Sequence, residues 1–310
     1  MKINEIIDGE KIEILLLISN VTKGISTNNA TYLNITFQDS TGVIEGKRWD
    51  ATQDDIDFYT IGKIVRVFGD ANKYRNAMQI KISHAEAVDM SAIDYQDYVA
   101  SAPVKREDLE QELRYFVTSL KDSDVKLMVV ELLKKYYTPY LTHPAATRNH
   151  HEYCSGLLHH SVNVAKLADV FANFYSNVDR DLLVGAALLH DVGKVIELSG
   201  PIIPTYTTEG RLIGHISIMQ AEIREMAHKL QITSEVPMLL EHMILSHHGK
   251  KEFGSPVLPM TREALMLNIV DDIDAKMNIL DKALDGVEDG KFTTKIYPLD
   301  DRSFYKPFKR

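Results

Sequence analysis

The stretch Leu182-Leu-Val-Gly-Ala-Ala-Leu-Leu-His-Asp-Val-Gly-Lys194 decides how the second half of the chain is read. From Leu182 to Leu189 no side chain carries a charge or a hydrogen-bonding group, which predicts a helix buried on all its faces. That helix ends in adjacent His190 and Asp191, followed by Gly193 and Lys194. Ionisable groups at the end of a buried helix are costly unless paired or bound to a cation, so packing alone does not explain them.

Other polar residues sit in helical apolar patterns nearby. From Leu157 an apolar face runs through Val164, Leu167, Ala168 and Phe171, and His160 falls on it. His159 shares a stripe with Asn163 and Lys166, which predicts that it points to solvent. His215 follows Gly214 at a predicted helix start, and His247 continues the stripe Leu240, Met243 and Ile244. A histidine at a helix end also caps or packs, so both readings stand for this pair. Asp271 lies next to a stripe of Met266, Val270, Ile273 and Met277, with Asp272 and Asp274 further around. His151 and His248 border the same segments and are candidate pocket residues. Imidazole with carboxylate suits Mn²⁺, Fe²⁺, Co²⁺ or Zn²⁺. The single Cys154 excludes a thiolate-rich zinc site and an internal disulfide.

The first ninety residues have another character. LLLISNVTKGIS, TYLNITFQDSTGVIEGKRWD, KIVRVFGDANKY and AMQIKISHAEAV are rich in Val, Ile, Phe and Tyr and are punctuated by Gly and Asn. Along Thr31 to Phe37, Leu33, Ile35 and Phe37 point one way and Tyr32, Asn34 and Thr36 the other. About five short strands in this length predict a Greek-key barrel of the OB-fold kind. The expected organisation is a two-domain α+β chain: an OB-fold over 1–90, a linker over 91–104, an all-helical domain over 105–290, and a basic, aromatic tail over 291–310. Leu198 to Gly214, with its prolines and glycines, reads as an inserted hairpin or loop. The formal charge of −9 argues against bulk attraction to nucleic acid. Tyr32, Trp49 and Tyr74, with Lys47, Arg48, Arg75 and Lys81, remain a candidate set for stacking on bases and contacting phosphates, although the barrel itself is mildly acidic. The longest apolar run near the N-terminus, Ile14 to Ile18, is too short to cross a bilayer, and the expected compartment is the cytoplasm.

GLLHHS, then HDVGK, then VDDIDA resembles the HD superfamily of metal-dependent phosphohydrolases over roughly residues 145 to 285. The resemblance implies that His160, His190, Asp191 and Asp271 hold a divalent metal, and that His215 and His247 serve a second ion with Asp191 as the bridge. A barrel, a linker and this domain, with LSHHGKKEFGSP beyond, look like the bacterial 3′-to-5′ exoribonucleases of the YhaM type. That implies single-stranded RNA as substrate, with single-stranded DNA as a second candidate. A phosphodiester repels nucleophiles, and two cations about 3.5–4 Å apart both neutralise it and activate water. Asp191 is then the bridge, Lys194 the cation expected to meet the phosphate, Mn²⁺ the favoured metal and a homo-oligomer the favoured assembly. The competing readings are a nucleotide phosphohydrolase or cyclic-nucleotide phosphodiesterase with a regulatory barrel, and a binding module with a structural metal.

Overall fold

The computed structural model describes residues 1–74, 77–89, 93, 97–99, 102–146, 151 and 153–308. It divides into two compact units, Met1–Ser101 and Ala102–Arg310. Arg75 and part of the expected linker lie outside the described residues.

In the first unit, β1 (Lys11–Ile25), β2 (Thr31–Asp39), β3 (Gly42–Arg48), β4 (Ile64–Tyr74) and β5 (Ala77–Ala87) close a barrel in the order β1-β2-β3-β5-β4. β3 and β5 run parallel and every other pair is antiparallel, the arrangement of an OB-fold. β1 is long enough to serve two neighbours. Lys11 to Leu17 pair with β4 and Leu17 to Ile25 with β2, and a register shift between Ile18 and Asn20 bends the strand between them. The expected alternation in β2 holds, with Leu33, Ile35 and Phe37 buried among Ile12, Ile14, Leu16, Val67 and Ile80. A short helix, α1 (Gln53–Phe58), leads from β3 to β4 and is capped by Thr52 and Asp55 bonding each other's backbone.

The second unit is helical: α2 (Arg106–Ser119), α3 (Ser123–Lys135), α4 (Tyr137–Thr142), α5 (Gly156–Phe174), α6 (Arg180–Leu189), α7 (Lys194–Glu197), α8 (Thr208–Leu212), α9 (His215–Leu230), α10 (Val236–Ser246) and α11 (Arg262–Asp285). Leu182 to Leu189 of α6 are all buried, as their composition predicts, and α3, α5, α10 and α11 pack around them. The carboxylate of Asp179 caps α6 by accepting from Leu182 N–H. The other end of α6 thereby delivers His190 and Asp191 into the middle of the bundle.

One expectation changes. On α11 the inward face is Ala264, Leu267, Val270 and Asp274, whereas Ile273 and Met277 are exposed. With Leu265 and Ile269 also exposed, α11 is apolar on more than one side, so periodicity alone selects the wrong stripe. The segment after α7 is a small hairpin, with Leu198 bridged to Tyr206, that runs into α8. The described part of the tail folds back on α11: Phe292 is bridged to Tyr305, and Lys306 Nζ donates to the Leu284 and Val287 carbonyls, a cation at a helix C-terminus. Among the described residues no helix is long and apolar enough to cross a membrane.

Phe37→Ala removes a fully buried ring from the barrel and should cost about 3–5 kcal/mol, whereas Trp49→Ala, at a half-exposed site, should stay within about 0.5 kcal/mol. Urea denaturation of the two variants measures the difference.

Candidate metal centre

The site is assembled where the end of α6 meets α5, α9, α10 and α11. His160 Nε2 lies 3.1 Å from His190 Nε2, 3.1 Å from Asp271 Oδ1 and 3.5 Å from Asp191 Oδ2. His190 Nε2 lies 3.4 Å from Asp191 Oδ2 and 3.8 Å from Asp271 Oδ1. Ligand bonds of about 2.0–2.2 Å place neighbouring donor atoms roughly 3–3.6 Å apart, so all of these separations but the 3.8 Å one have the spacing of a coordination sphere. On its other side Asp191 presents Oδ1, 3.4 Å from His215 Nε2 and 3.8 Å from His247 Nε2. His248 joins this second group: one ring nitrogen from each of His215, His247 and His248 lies within 4.8 Å of the others.

Asp191 Oδ1, His215 Nε2 and His247 Nε2 are buried with no hydrogen-bond partner. An orphaned buried polar atom costs about 1–3 kcal/mol, and one cation between them would satisfy all three. The far nitrogens explain which way the near ones face. His190 Nδ1 donates to the Ala187 carbonyl at 2.8 Å, His247 Nδ1 to the Ile244 carbonyl at 2.7 Å, His215 Nδ1 to Glu197 Oε1 at 3.0 Å and His160 Nδ1 to Asp274 Oδ2 at 2.7 Å. Carbonyl and carboxylate oxygens only accept, so each Nδ1 carries a proton and each Nε2 faces inward, as a donor where the ring is protonated and as a lone pair where it is neutral.

The spacing of α6 and α9 is set locally. A Cβ at Gly193 would collide with the His215 carbonyl, so the residue before Lys194 is bare where α9 begins. Gly214, with φ +77°, makes the left-handed turn that starts α9.

Electrostatically the site is anionic. Burial pushes the Asp191 carboxyl upward, but the charges of Lys194 and His190 outweigh it and hold the group well below the usual carboxylate range. Asp271 and Asp274 behave likewise: burial raises them, and bonds from His160 to the first and from His151 and His160 to the second bring them down further. Glu197 is raised by burial and lowered more by His215. His160 answers these charges. Burial lowers it, yet its bonds to Asp271 and Asp274 lift it to about 10. Without a metal, a proton on His160 supplies positive charge that a cation would otherwise bring.

His160, His190, Asp191 and Asp271 are thus brought together as one group and His215, His247 and His248 as another, with Asp191 between them. Lys194, expected to meet a phosphate, is buried with Nζ donating to Asp191 Oδ2 at 2.6 Å. His159 does not face solvent: it is 8% exposed, and its Nδ1 is 2.8 Å from the Tyr153 hydroxyl. That hydroxyl also lies 2.6 Å from His151 Nδ1, and His151 Nε2 lies 2.7 Å from Asp274 Oδ2. The loop before α5 covers the flank that helical phase alone leaves open. Asp274 and Glu197 were not singled out by sequence. The signal for Asp274 was its place three residues after Asp271, hence on a neighbouring part of the same face. Glu197 had none beyond following Lys194 by three.

On the barrel, Tyr32 lies across Gly24 of β1, where any Cβ would meet its ring, and stands 5.1 Å from the ring of Trp49. Lys47 Nζ is 5.7 Å from the first ring centroid and 5.3 Å from the second. Trp49 is 41% exposed and lies outside the barrel core. Tyr74 is exposed where β4 turns into β5, while Arg48 is paired with Asp55 at 3.0 Å.

A helical bundle that gathers H…HD…D on one buried helix end defines an HD-type, metal-binding hydrolase, and the HD domain family model matches residues 157–276. The 3′-5′ exoribonuclease YhaM of Geobacillus sp. (strain WCH70) is 46% identical over 300 residues, 96% of this chain and 93% of the relative. The chain belongs to the family of that exoribonuclease. Among solved structures, the HD domain of the L. monocytogenes phosphodiesterase PgpH matches 52% of this chain and 74% of its own, at 18% identity and a TM-score of 0.30. The second OB-fold domain of replication protein A from Methanococcus maripaludis matches 30% of this chain and 98% of its own, at 16% identity and a TM-score of 0.25.

Mn²⁺ at a hundred times its dissociation constant should raise stability by about 2.7 kcal/mol per site, seen as an upward shift of the melting temperature. Asp191→Asn should abolish that shift while leaving the far-ultraviolet circular dichroism unchanged. Uptake should also depend on pH. His160, raised above its ordinary 6.5, favours the metal-free fold fully below pH 6.5 and loses that contribution as pH rises through about 10. A metal must displace this proton, so affinity measured by calorimetry should rise with pH below 10, by roughly tenfold per unit, with proton release into the buffer.

Proposed function

We propose that this chain hydrolyses single-stranded RNA from its 3′ end, using two divalent ions, Mn²⁺ foremost, held by His160, His190, Asp191 and Asp271 on one side and by Asp191, His215, His247 and His248 on the other. Membership of the YhaM family supports the substrate and polarity. The observation that carries the two-ion reading is that Asp191 turns one oxygen to each cluster while the atoms around Oδ1 lack partners.

Charge supports the same count. Asp191, Glu197, Asp271 and Asp274 bring four carboxylates into one buried site beside the ammonium of Lys194. A single divalent ion leaves that site negative and repellent to a phosphodiester, whereas two make it attractive. Bound ions supply Lewis-acid neutralisation of phosphoryl oxygens and water of lowered pKa. The chain's own residues do the rest. Asp191 fixes the spacing of the two clusters, and Lys194 holds Asp191 in place from the side away from His215. The buried wall of α6 keeps bulk water out.

In this reading the OB-fold of residues 1–90 carries the strand and residues 105–290 cut it. Tyr32 and Trp49, with Lys47 beside them, offer a stacking face with a cation, which also suits single-stranded DNA. The cytoplasm is the proposed compartment. The proposal includes a homo-oligomer, supported by exposed Leu265, Ile269 and Met277 along one side of α11.

With Mn²⁺ and 5′-labelled single-stranded RNA, products should shorten stepwise from the 3′ end. Turnover confined to mononucleotides or cyclic nucleotides would refute the proposal. Trp49→Ala should raise KM for RNA by roughly 5- to 150-fold, the worth of one stacked base, with kcat little changed.

A further inference from the structure

We infer that Asp274 and Glu197 are positioning residues assigned one to each ion, so that the two metal sites are separately adjustable from behind their histidines. The inference rests on the two-ion reading above. It starts from an asymmetry among the ligands. His190 and His247 are oriented by backbone carbonyls of their own helix ends, Ala187 and Ile244, which no side-chain change removes. His160 and His215 are oriented instead by carboxylates, from Asp274 on α11 and from Glu197 on α7. Each cluster therefore has one histidine held by a charge, and its other histidines are held by carbonyls, His248 by that of Phe253 at 2.8 Å. A carboxylate behind an imidazole strengthens its donor nitrogen and fixes its tautomer and ring plane, an effect worth about 10- to 100-fold in metal affinity.

The two carboxylates are held as such a role requires. Asp274 is buried and collects three groups: Oδ2 takes His160 Nδ1 at 2.7 Å and His151 Nε2 at 2.7 Å, and Oδ1 accepts from Asn163 Nδ2 at 3.0 Å. Asn278, one turn along α11, accepts from the His151 backbone N–H at 2.9 Å, so the loop bearing His151 is tied to the same helix. Glu197 Oε1 takes both the backbone N–H of His215 at 3.1 Å and its Nδ1 at 3.0 Å, and it therefore sets the start of α9 and the ring together. Neither carboxylate is among the atoms that converge between the clusters, and so neither is a catalytic residue. Each acts through one histidine.

The test counts metal and measures its affinity, with Mn²⁺ as the probe and the full chain as the protein. Wild type should bind two equivalents in calorimetry and by elemental analysis. Asp274→Asn keeps the shape of the side chain and removes its charge; it should weaken one equivalent by about 10- to 100-fold and spare the other, and Glu197→Gln should do the same. The combination with His160→Ala tells the sites apart. Asp274→Asn added to His160→Ala should cause no further loss, whereas Glu197→Gln added to His160→Ala should weaken the ion that remains. Asn163→Ala, which removes one hydrogen bond from Asp274 and leaves its charge, should leave both equivalents intact, and this separates loss of charge from loosening of α11. Two equivalents at wild-type affinity in both carboxylate variants would overturn the inference alone. One equivalent in wild type would overturn the two-ion reading and the inference with it.

Discussion

Everything in the helical unit turns on one buried carboxylate that serves two sets of partners. Asp191 is 2% exposed, with Oδ2 toward His160, His190 and Lys194, and Oδ1 toward His215 and His247. Such a group is tolerated in a protein interior only when its charge is answered. The apolar helix α6 carries it there, and the groups that answer it come from α5 (His160), from the end of α6 itself (His190), from α7 (Lys194) and from the start of α9 and the end of α10 (His215 and His247). In the metal-free state Lys194 and a protonated His160 provide that answer, but they leave Oδ1 and two histidine nitrogens without partners. The bundle is thus built around a charge deficit that divalent cations fit better than protons do.

This constraint also explains how the histidines are oriented. The histidines at the helix ends are fixed by carbonyls one turn back, so secondary structure alone orients them. Those at a helix start or middle, His215 and His160, are oriented by acidic side chains from other helices of the unit. Gly193 and Gly214 matter for the same reason: α9 has to begin close against the end of α6 if His215 is to reach Asp191. The barrel obeys separate rules, namely alternation, one long bent strand and closure, and half-buried Tyr32 with Lys47 and exposed Trp49 is the place where its surface departs from an ordinary acidic one.

Much of this was legible in the sequence where a strong period and a costly residue coincide. His160 on an apolar face, His190-Asp191 ending an uncharged run, and Leu33, Ile35 and Phe37 alternating along β2 are of this kind. Legibility failed where tertiary neighbours decide. His159 reads as outward by helical phase because phase says nothing of the Tyr153 loop that covers it. Ile273 and Met277 read as core because α11 has apolar residues on two sides, and which side packs is fixed by α5, α6 and α10. Asp274 reads only as lying further around the helix than Asp271, because phase says nothing of what packs there; the placement of His151, His160 and Asn163 is what makes its burial tolerable.

The most direct measurement is anomalous diffraction from crystals of the full chain grown with Mn²⁺, recorded at the manganese edge. Two anomalous peaks should flank the Asp191 carboxylate, one among His160, His190 and Asp271 and the other among His215, His247 and His248. No peak at Asp191, or a single one on one side of it at saturating metal, would contradict the account.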